Sequence, residues 1–308
     1  YDLDDKSFCF LKKCAAGKGC SSGEREFIDY CLGEGLLTEN RVLLKRPPVL
    51  KSPVPSLRYL ELQITDRCNL RCRHCYIGDN IFSELSVTQI ETILGEFEAM
   101  QGLRVMITGG EPLMHGSFQE INEMLPGFFV RKVLFTNGLL LHQSLLKILN
   151  VDEIQISIDG LEDAHEALRG RGTFKKALHA VKQAVDSGFE VSVATMVHKK
   201  NLGDFDKMER IFSQMRIKDW TVDIPCLTGR LRDNPEFMIS PEVGGKYLEY
   251  GYGEGLHGGA GGYACGVHLM AVMANGGIAK CSFYGDKPVG SIKEGLRECW
   301  LKIKPLRL

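Results

Sequence analysis

Cys68, Cys72 and Cys75 are spaced C-x3-C-x2-C on one short stretch, followed at once by the aromatic Tyr76. Three thiolates held this closely can ligate three irons of a four-iron cluster. The fourth iron is then left without a protein ligand, so an exogenous molecule can coordinate it. A structural zinc site needs four closed ligands. His74 could complete one only by bending back between Cys72 and Cys75. Zinc, a disulfide and plain core cysteines stand as the other readings of the triad.

Thr108-Gly109-Gly110-Glu111-Pro112 joins glycines that let the backbone approach a ligand to a carboxylate that could meet a cation. Taken alone, so short a string is also a plain turn. Ser157-Ile158-Asp159-Gly160 is followed by Arg169-Gly170. Ser157 can hydrogen-bond a ribose hydroxyl or a carboxylate, and Arg169 can fork onto a carboxylate. The alternatives are a strand-end cap and a solvated arginine. Asp159 either braces its loop or faces substrate, which makes it the candidate catalytic group. Thr136-Asn137-Gly138 reads as loop-shaping. His115, His165 and His198 show no ligand spacing and read as surface or capping residues, and Met100, Met106, Met208 and Met215 as core.

Elements able to position these groups alternate along the chain. Strands are predicted at 59–64, 105–107, 132–135, 154–158, 191–194 and 220–224. Helices are predicted at 86–100 with Ser86 as N-cap, then at 117–125, 141–149, 174–187 and 204–215. Six β/α units imply parallel strands with right-handed crossovers, hence an open or partial (β/α)6 barrel. Such barrels carry their sites at the C-terminal ends of the strands. The cysteine triad follows the first predicted strand, the Gly109-Gly110 string closes the second, Thr136-Asn137-Gly138 the third and Ser157 the fourth.

The chain has 308 residues, 44% hydrophobic and 25% charged, which fits an ordinary globular α/β protein and excludes a fibrous or disordered one. With 38 basic and 39 acidic residues it offers no electrostatic ground for nucleic acid or an anionic membrane as partner. No apolar run is long enough to span a bilayer, and no signal-peptide pattern opens the chain, although it starts at Tyr1 rather than Met. Eleven cysteines are too sparse for a disulfide scaffold and read as metal or redox ligands in a reducing compartment, the cytoplasm.

The expected organisation begins with an appendage and a linker at 1–56, containing a helix around 24–38 and the prolines Pro47, Pro48, Pro53 and Pro55. The partial barrel follows at 57–225, then a glycine-rich connection at 226–262. A small cysteine-bearing C-terminal domain occupies 263–308, with a hairpin at Asn275-Gly276-Gly277. Cys9, Cys14, Cys20 and Cys31 match no compact metal motif.

Cys68, Cys72, Cys75 and Tyr76, with the Gly109-Gly110-Glu111 string and Ser157, resemble the signature of the radical S-adenosylmethionine (radical SAM) enzymes. The resemblance covers roughly residues 57–225. It implies a four-iron, four-sulfur cluster on the three cysteines and S-adenosylmethionine on the open iron. It also implies cofactor contacts from Tyr76, Gly109, Gly110, Glu111, Ser157 and Arg169. Such enzymes cleave S-adenosylmethionine reductively, and the 5′-deoxyadenosyl radical takes hydrogen from substrate.

Cys265 and Cys281, with Gly276 between them and Gly290-Ser291-Ile292 and Cys299-Trp300 beyond, resemble the opening of the SPASM extension. That implies an auxiliary four-iron cluster on Cys265, Cys281 and Cys299, in a domain that is incomplete because the chain ends at Leu308. The implied substrate is a peptide, a protein or a peptide-derived cofactor precursor, with electrons from a ferredoxin or flavodoxin. A small-molecule or tetrapyrrole modifier, as in haem-pathway members with the same extension, is the alternative enzyme. A non-catalytic iron–sulfur electron carrier is the alternative from another class. Residues 226–262, with Cys226, Arg230 and Arg232, are expected to face substrate.

Overall fold

The structure is a computed structural model and describes residues 4–18, 25–33, 37, 39, 55–78, 82–253 and 267–303. The chain divides into two compact units, Tyr1–Lys51 and Ser52–Leu308. In the first, α1 (Asp5–Ala15) starts where Asp4 Oδ1 accepts the Ser7 amide at 2.6 Å. α2 (Arg25–Gly33) buries Cys31, and the Phe10 and Phe27 rings meet edge-on at 5.4 Å. Cys9 is exposed and Cys14 half-buried, while Cys20, Pro47, Pro48 and Pro53 lie outside the described residues.

In the second unit six parallel strands follow one another: β1 (Tyr59–Thr65), β2 (Arg104–Gly109), β3 (Arg131–Thr136), β4 (Glu153–Ser157), β5 (Glu190–Met196) and β6 (Asp219–Asp223). Between them run α3 (Val87–Ala99), α4 (Phe118–Met124), α5 (Gln143–Leu146), α6 (Glu162–Arg169) and α7 (Phe174–Asp186), with α8 (Phe205–Met215) before β6. β1 shows how one strand serves two environments. Leu60, Leu62 and Ile64 enter the main core, which α3 fills with Ile90, Ile93, Leu94 and Phe97. Glu61, Gln63 and Thr65, equally buried, take the opposite face, as the two-residue period of a strand requires.

α6 departs from the sequence reading, which leaves Arg169 in a loop. Arg169 is instead the last residue of that helix, stopped by Gly170 at φ 118°. Ala164 and Leu168 are its buried apolar residues, and one i,i+4 pair is too little to register as a period.

After α9 (Pro241–Gly245) the chain passes outside the described residues at 254–266, which include Cys265 and most of the glycine-rich stretch. It returns as β7 (Leu269–Val272), parallel to β1, then β8 (Gly277–Ala279) and β9 (Gly290–Ser291), each antiparallel to the strand before it. The cysteine-bearing C-terminal segment thus adds three strands to the barrel sheet, whose order is β6-β5-β4-β3-β2-β1-β7-β8-β9. The sheet remains open, with β6 and β9 at its edges. α10 (Leu296–Ile303) seals this end by burying Leu296, Cys299 and Trp300, whose indole donates to Pro55 O at 2.9 Å. Among the described residues no helix is long and apolar enough to cross a membrane.

α3 begins with a reciprocal cap. Ser86 Oγ accepts from Gln89 N at 3.2 Å, and Gln89 Oε1 accepts from Ser86 N at 2.8 Å. Ser86→Ala removes half of that cap and is expected to cost about 1 kcal/mol, read as a lower urea midpoint at unchanged slope.

Candidate active site

A cavity of about 250 Å³ lies at the C-terminal ends of the strands. Cys68, Cys72 and Cys75, from the loop after β1, line it together with Gly109, Gly110, Asn137, Ser157 and Arg169. Motifs more than 100 positions apart in sequence therefore share one wall, as the strand-end rule requires.

The two glycines also have a packing role, which the sequence reading did not include. A Cβ on Gly109 would sit 2.5 Å from Thr65 O, and one on Gly110 would sit 2.4 Å from Arg67 O and 2.5 Å from Asp66 O. Their missing side chains let β2 dock on the start of the cysteine loop. Gly110 N donates to Thr65 O at 2.8 Å and Glu111 N to Arg67 O at 2.7 Å.

Glu111 is fully buried and is not part of the cavity lining. Its Oε1 accepts from Thr136 Oγ1 at 2.8 Å and Leu113 N at 3.3 Å, and its Oε2 from Asn137 N at 2.9 Å. Burial pushes its pKa up to about 7, against the opposing pull of those donors. The carboxylate thus braces the turn after β3, and Asn137 passes the constraint on by donating to Asn69 Oδ1 at 2.7 Å. The loop-shaping reading of Thr136-Asn137-Gly138 has this geometry behind it.

Asp159 is also buried, with both oxygens engaged. Oδ1 accepts from Met196 N at 2.7 Å and Oδ2 from Arg169 Nε at 2.5 Å. Burial alone would raise its pKa, but the Arg169 guanidinium beside it holds the carboxyl well below the usual carboxylate range. Arg169 is therefore no solvated arginine: its Nη1 lies 4.0 Å from Cys72 Sγ and its Nη2 donates to His74 Nε2 at 3.4 Å. That last bond requires a neutral His74 with its proton on Nδ1.

Sequence reasoning missed what surrounds Asp159. His165 and His198, read as surface or capping residues, are buried against it. His165 Nδ1 accepts from Asp159 N at 3.1 Å, and His198 Nε2 donates to Asp159 O at 2.9 Å. Burial drives His74 down to about 3 and His165 to about 4, so both rings are neutral at ordinary pH. His115 is buried too, with Nε2 bonded to Leu85 O at 2.8 Å. No spacing signal could reveal the cluster, because helix and strand ends far apart in sequence assemble it.

Tyr76 rests its ring against Phe283 from the C-terminal segment, with centroids 5.0 Å apart. Cys281 is buried with Leu269, Met106 and Val133, whereas Cys299 belongs to the separate main core and donates to Ser291 O at 3.6 Å. Cys281 and Cys299 thus pack in two separate apolar clusters. Cys265 lies outside the described residues.

The model of the radical SAM superfamily matches residues 62–211, which span β1 to α8 and hold every motif lining this cavity. The chain carries a radical SAM domain. It is 27% identical over 202 residues to the AdoMet-dependent heme synthase of Nitratidesulfovibrio vulgaris, covering 63% of this chain and 55% of that protein. To the sporulation killing factor maturation protein SkfB of Bacillus subtilis it is 33% identical over 146 residues, 46% of this chain and 36% of the other. The chain spans about half the length or less of the curated relatives it matches. Streptococcus suis SuiB, solved with its precursor peptide SuiA, shares the fold at a TM-score of 0.70 and 14% identity, over 99% of this chain and 83% of that one.

Radical SAM proteins use a four-iron, four-sulfur cluster and S-adenosylmethionine, and the residues present fit both. Three thiols line one cavity, and burial pushes the Cys68 thiol up to about 12 and raises Cys72 as well. Three soft sulfur donors on one cavity wall suit iron, and three of them leave one iron of a four-iron cluster open.

Glu111 provides a pH test on the cluster-free protein. Between its ordinary value of 4.5 and about 7, the folded chain keeps a proton that the unfolded chain has released. Stability is therefore expected to fall as pH rises through that window. In Glu111→Gln the decline should flatten, as read from urea midpoints at successive pH values.

Proposed function

We propose that the chain is a radical SAM enzyme acting on a peptide or protein precursor, a maturase. The observation that carries this reading is the convergence of Cys68, Cys72 and Cys75 with Gly110 and Ser157 on one cavity at the strand ends. Cluster and S-adenosylmethionine together would supply a 5′-deoxyadenosyl radical that takes hydrogen from substrate. The three cysteines would hold the cluster. Backbone at Gly109 and Gly110, the Ser157 hydroxyl and the Tyr76 edge would bind and orient S-adenosylmethionine. Glu111 and Asp159 would serve as positioning residues, the first through the turn after β3 and the second through Arg169. A peptide substrate is supported by the maturation protein SkfB and by SuiB with its precursor peptide. A ferredoxin or flavodoxin in a cytoplasmic, reducing compartment would deliver electrons, with no role for nucleic acid or membrane.

The heme synthase alignment, longer than that with SkfB, favours a tetrapyrrole as the second reading. Offering the reconstituted enzyme a tetrapyrrole and a candidate precursor peptide side by side, and following which one gains or loses mass, decides between them. Replacing Cys68, Cys72 and Cys75 together by alanine is expected to abolish 5′-deoxyadenosine production under dithionite. Production retained by that variant would refute the assignment.

The reading includes an auxiliary cluster on Cys265 and Cys281. The double Cys→Ala variant is expected to lose about four irons per chain while still cleaving S-adenosylmethionine without substrate. Equal iron in both proteins would leave a one-cluster enzyme.

A further inference from the structure

We propose that Arg230 is a positioning residue of the cysteine loop and that its charge raises the reduction potential of the cluster held there. The inference deepens the reading above and rests on it. After β6 the chain returns across the loop at Gly229, where φ is 52° and a Cβ would lie 2.2 Å from Cys75 O and 2.6 Å from Tyr76 O. No other residue type lets the two backbones lie so close.

Arg230 then makes three bonds to the loop. Its amide donates to Cys75 O at 2.9 Å, its Nε donates to Cys72 O at 2.9 Å, and its Nη1 donates to Gly78 O. Asn234 Nδ2 fastens the far side by donating to Arg230 O at 2.7 Å and Arg73 O at 3.3 Å. Carbonyls of two of the three cysteines are thus held by one residue 158 positions beyond Cys72.

The charge matters because the other guanidinium in the cavity is already neutralised. Arg169 faces Cys72 Sγ but is bound to the Asp159 carboxylate. Arg230 forms no ion pair among the described residues; its side chain donates to the neutral carbonyls of Cys72 and Gly78. It therefore contributes net positive charge beside the cysteine loop. Reduction adds negative charge to a cluster, and a fixed cation in a poorly screened site favours that form.

Wild type, Arg230→Gln and Arg230→Lys are reconstituted anaerobically, their iron and sulfide counted, and the cluster titrated potentiometrically by its spin-resonance signal. Arg230→Gln is expected to keep its iron and titrate at a more negative potential. Arg230→Lys, which retains the charge, should titrate at or near the wild-type value. Equal potentials in Arg230→Gln and wild type, or a shift as large in Arg230→Lys, would overturn the inference. Iron lost from Arg230→Gln but kept by Arg230→Lys at near wild-type potential would uphold the requirement for charge. Iron lost from both would assign the residue to loop folding alone. A wild type that binds no cluster would instead defeat the functional reading on which the inference rests.

Discussion

At the C-terminal edge of the sheet, the backbone of Gly110-Glu111 lies directly on the backbone of Thr65-Asp66-Arg67. The two bonds there, at 2.8 and 2.7 Å, form only because neither Gly109 nor Gly110 has a Cβ. This contact fixes the start of the cysteine loop relative to β2. From Glu111 the constraint runs through Thr136 and Asn137 to Asn69, beside Cys68. The cysteine loop is thus referenced to the first three strands by protein contacts. That is the preorganisation a site needs if binding is not to pay for ordering the loop.

A second set of constraints is electrostatic. Asp159 and Arg169 form a buried pair close to Cys72, with His74 bonded to the guanidinium and His165 and His198 bonded to the Asp159 backbone. Burying two charges is costly, and their attraction offsets that cost only when the remaining hydrogen-bonding capacity is satisfied. Met196 N, on the carboxylate, and His74 Nε2, on the guanidinium, provide part of it. The pair holds the guanidinium on the Cys72 side of the cavity, a place where a loosely held arginine would turn to water.

The C-terminal segment is tied to the barrel by the same kind of buried polar contact. Glu61 Oε2, on the inner face of β1, accepts both the amide and the hydroxyl of Ser282, at 2.8 and 2.7 Å. Gln63 Oε1, two residues on, accepts from Ala274 N at 3.1 Å. These bonds bring Phe283 over Tyr76, so the segment carrying Cys281 also shapes the wall of the cofactor cavity. A strand order in which β7 joins β1 makes this possible.

Periodicity and local spacing are properties of adjacent residues, so the sequence by itself determined what depends on them. Six strands, the Ser86 cap, the turn at Asn275-Gly276 and the cysteine triad were all legible there, as was the placing of each motif at a strand end. The roles of individual side chains were not. Glu111 and Asp159 were legible as carboxylates beside glycines, but which partners fill their oxygens depends on residues brought in from other strands. The histidines around Asp159 looked scattered for the same reason. The clamp of Arg230 on Cys72 and Cys75, and the packing of Cys281 and Cys299 in different apolar clusters, follow from strand order and burial. Those are settled only when the sheet assembles, because a hydrogen bond between residues 158 positions apart leaves no mark on the local pattern of either.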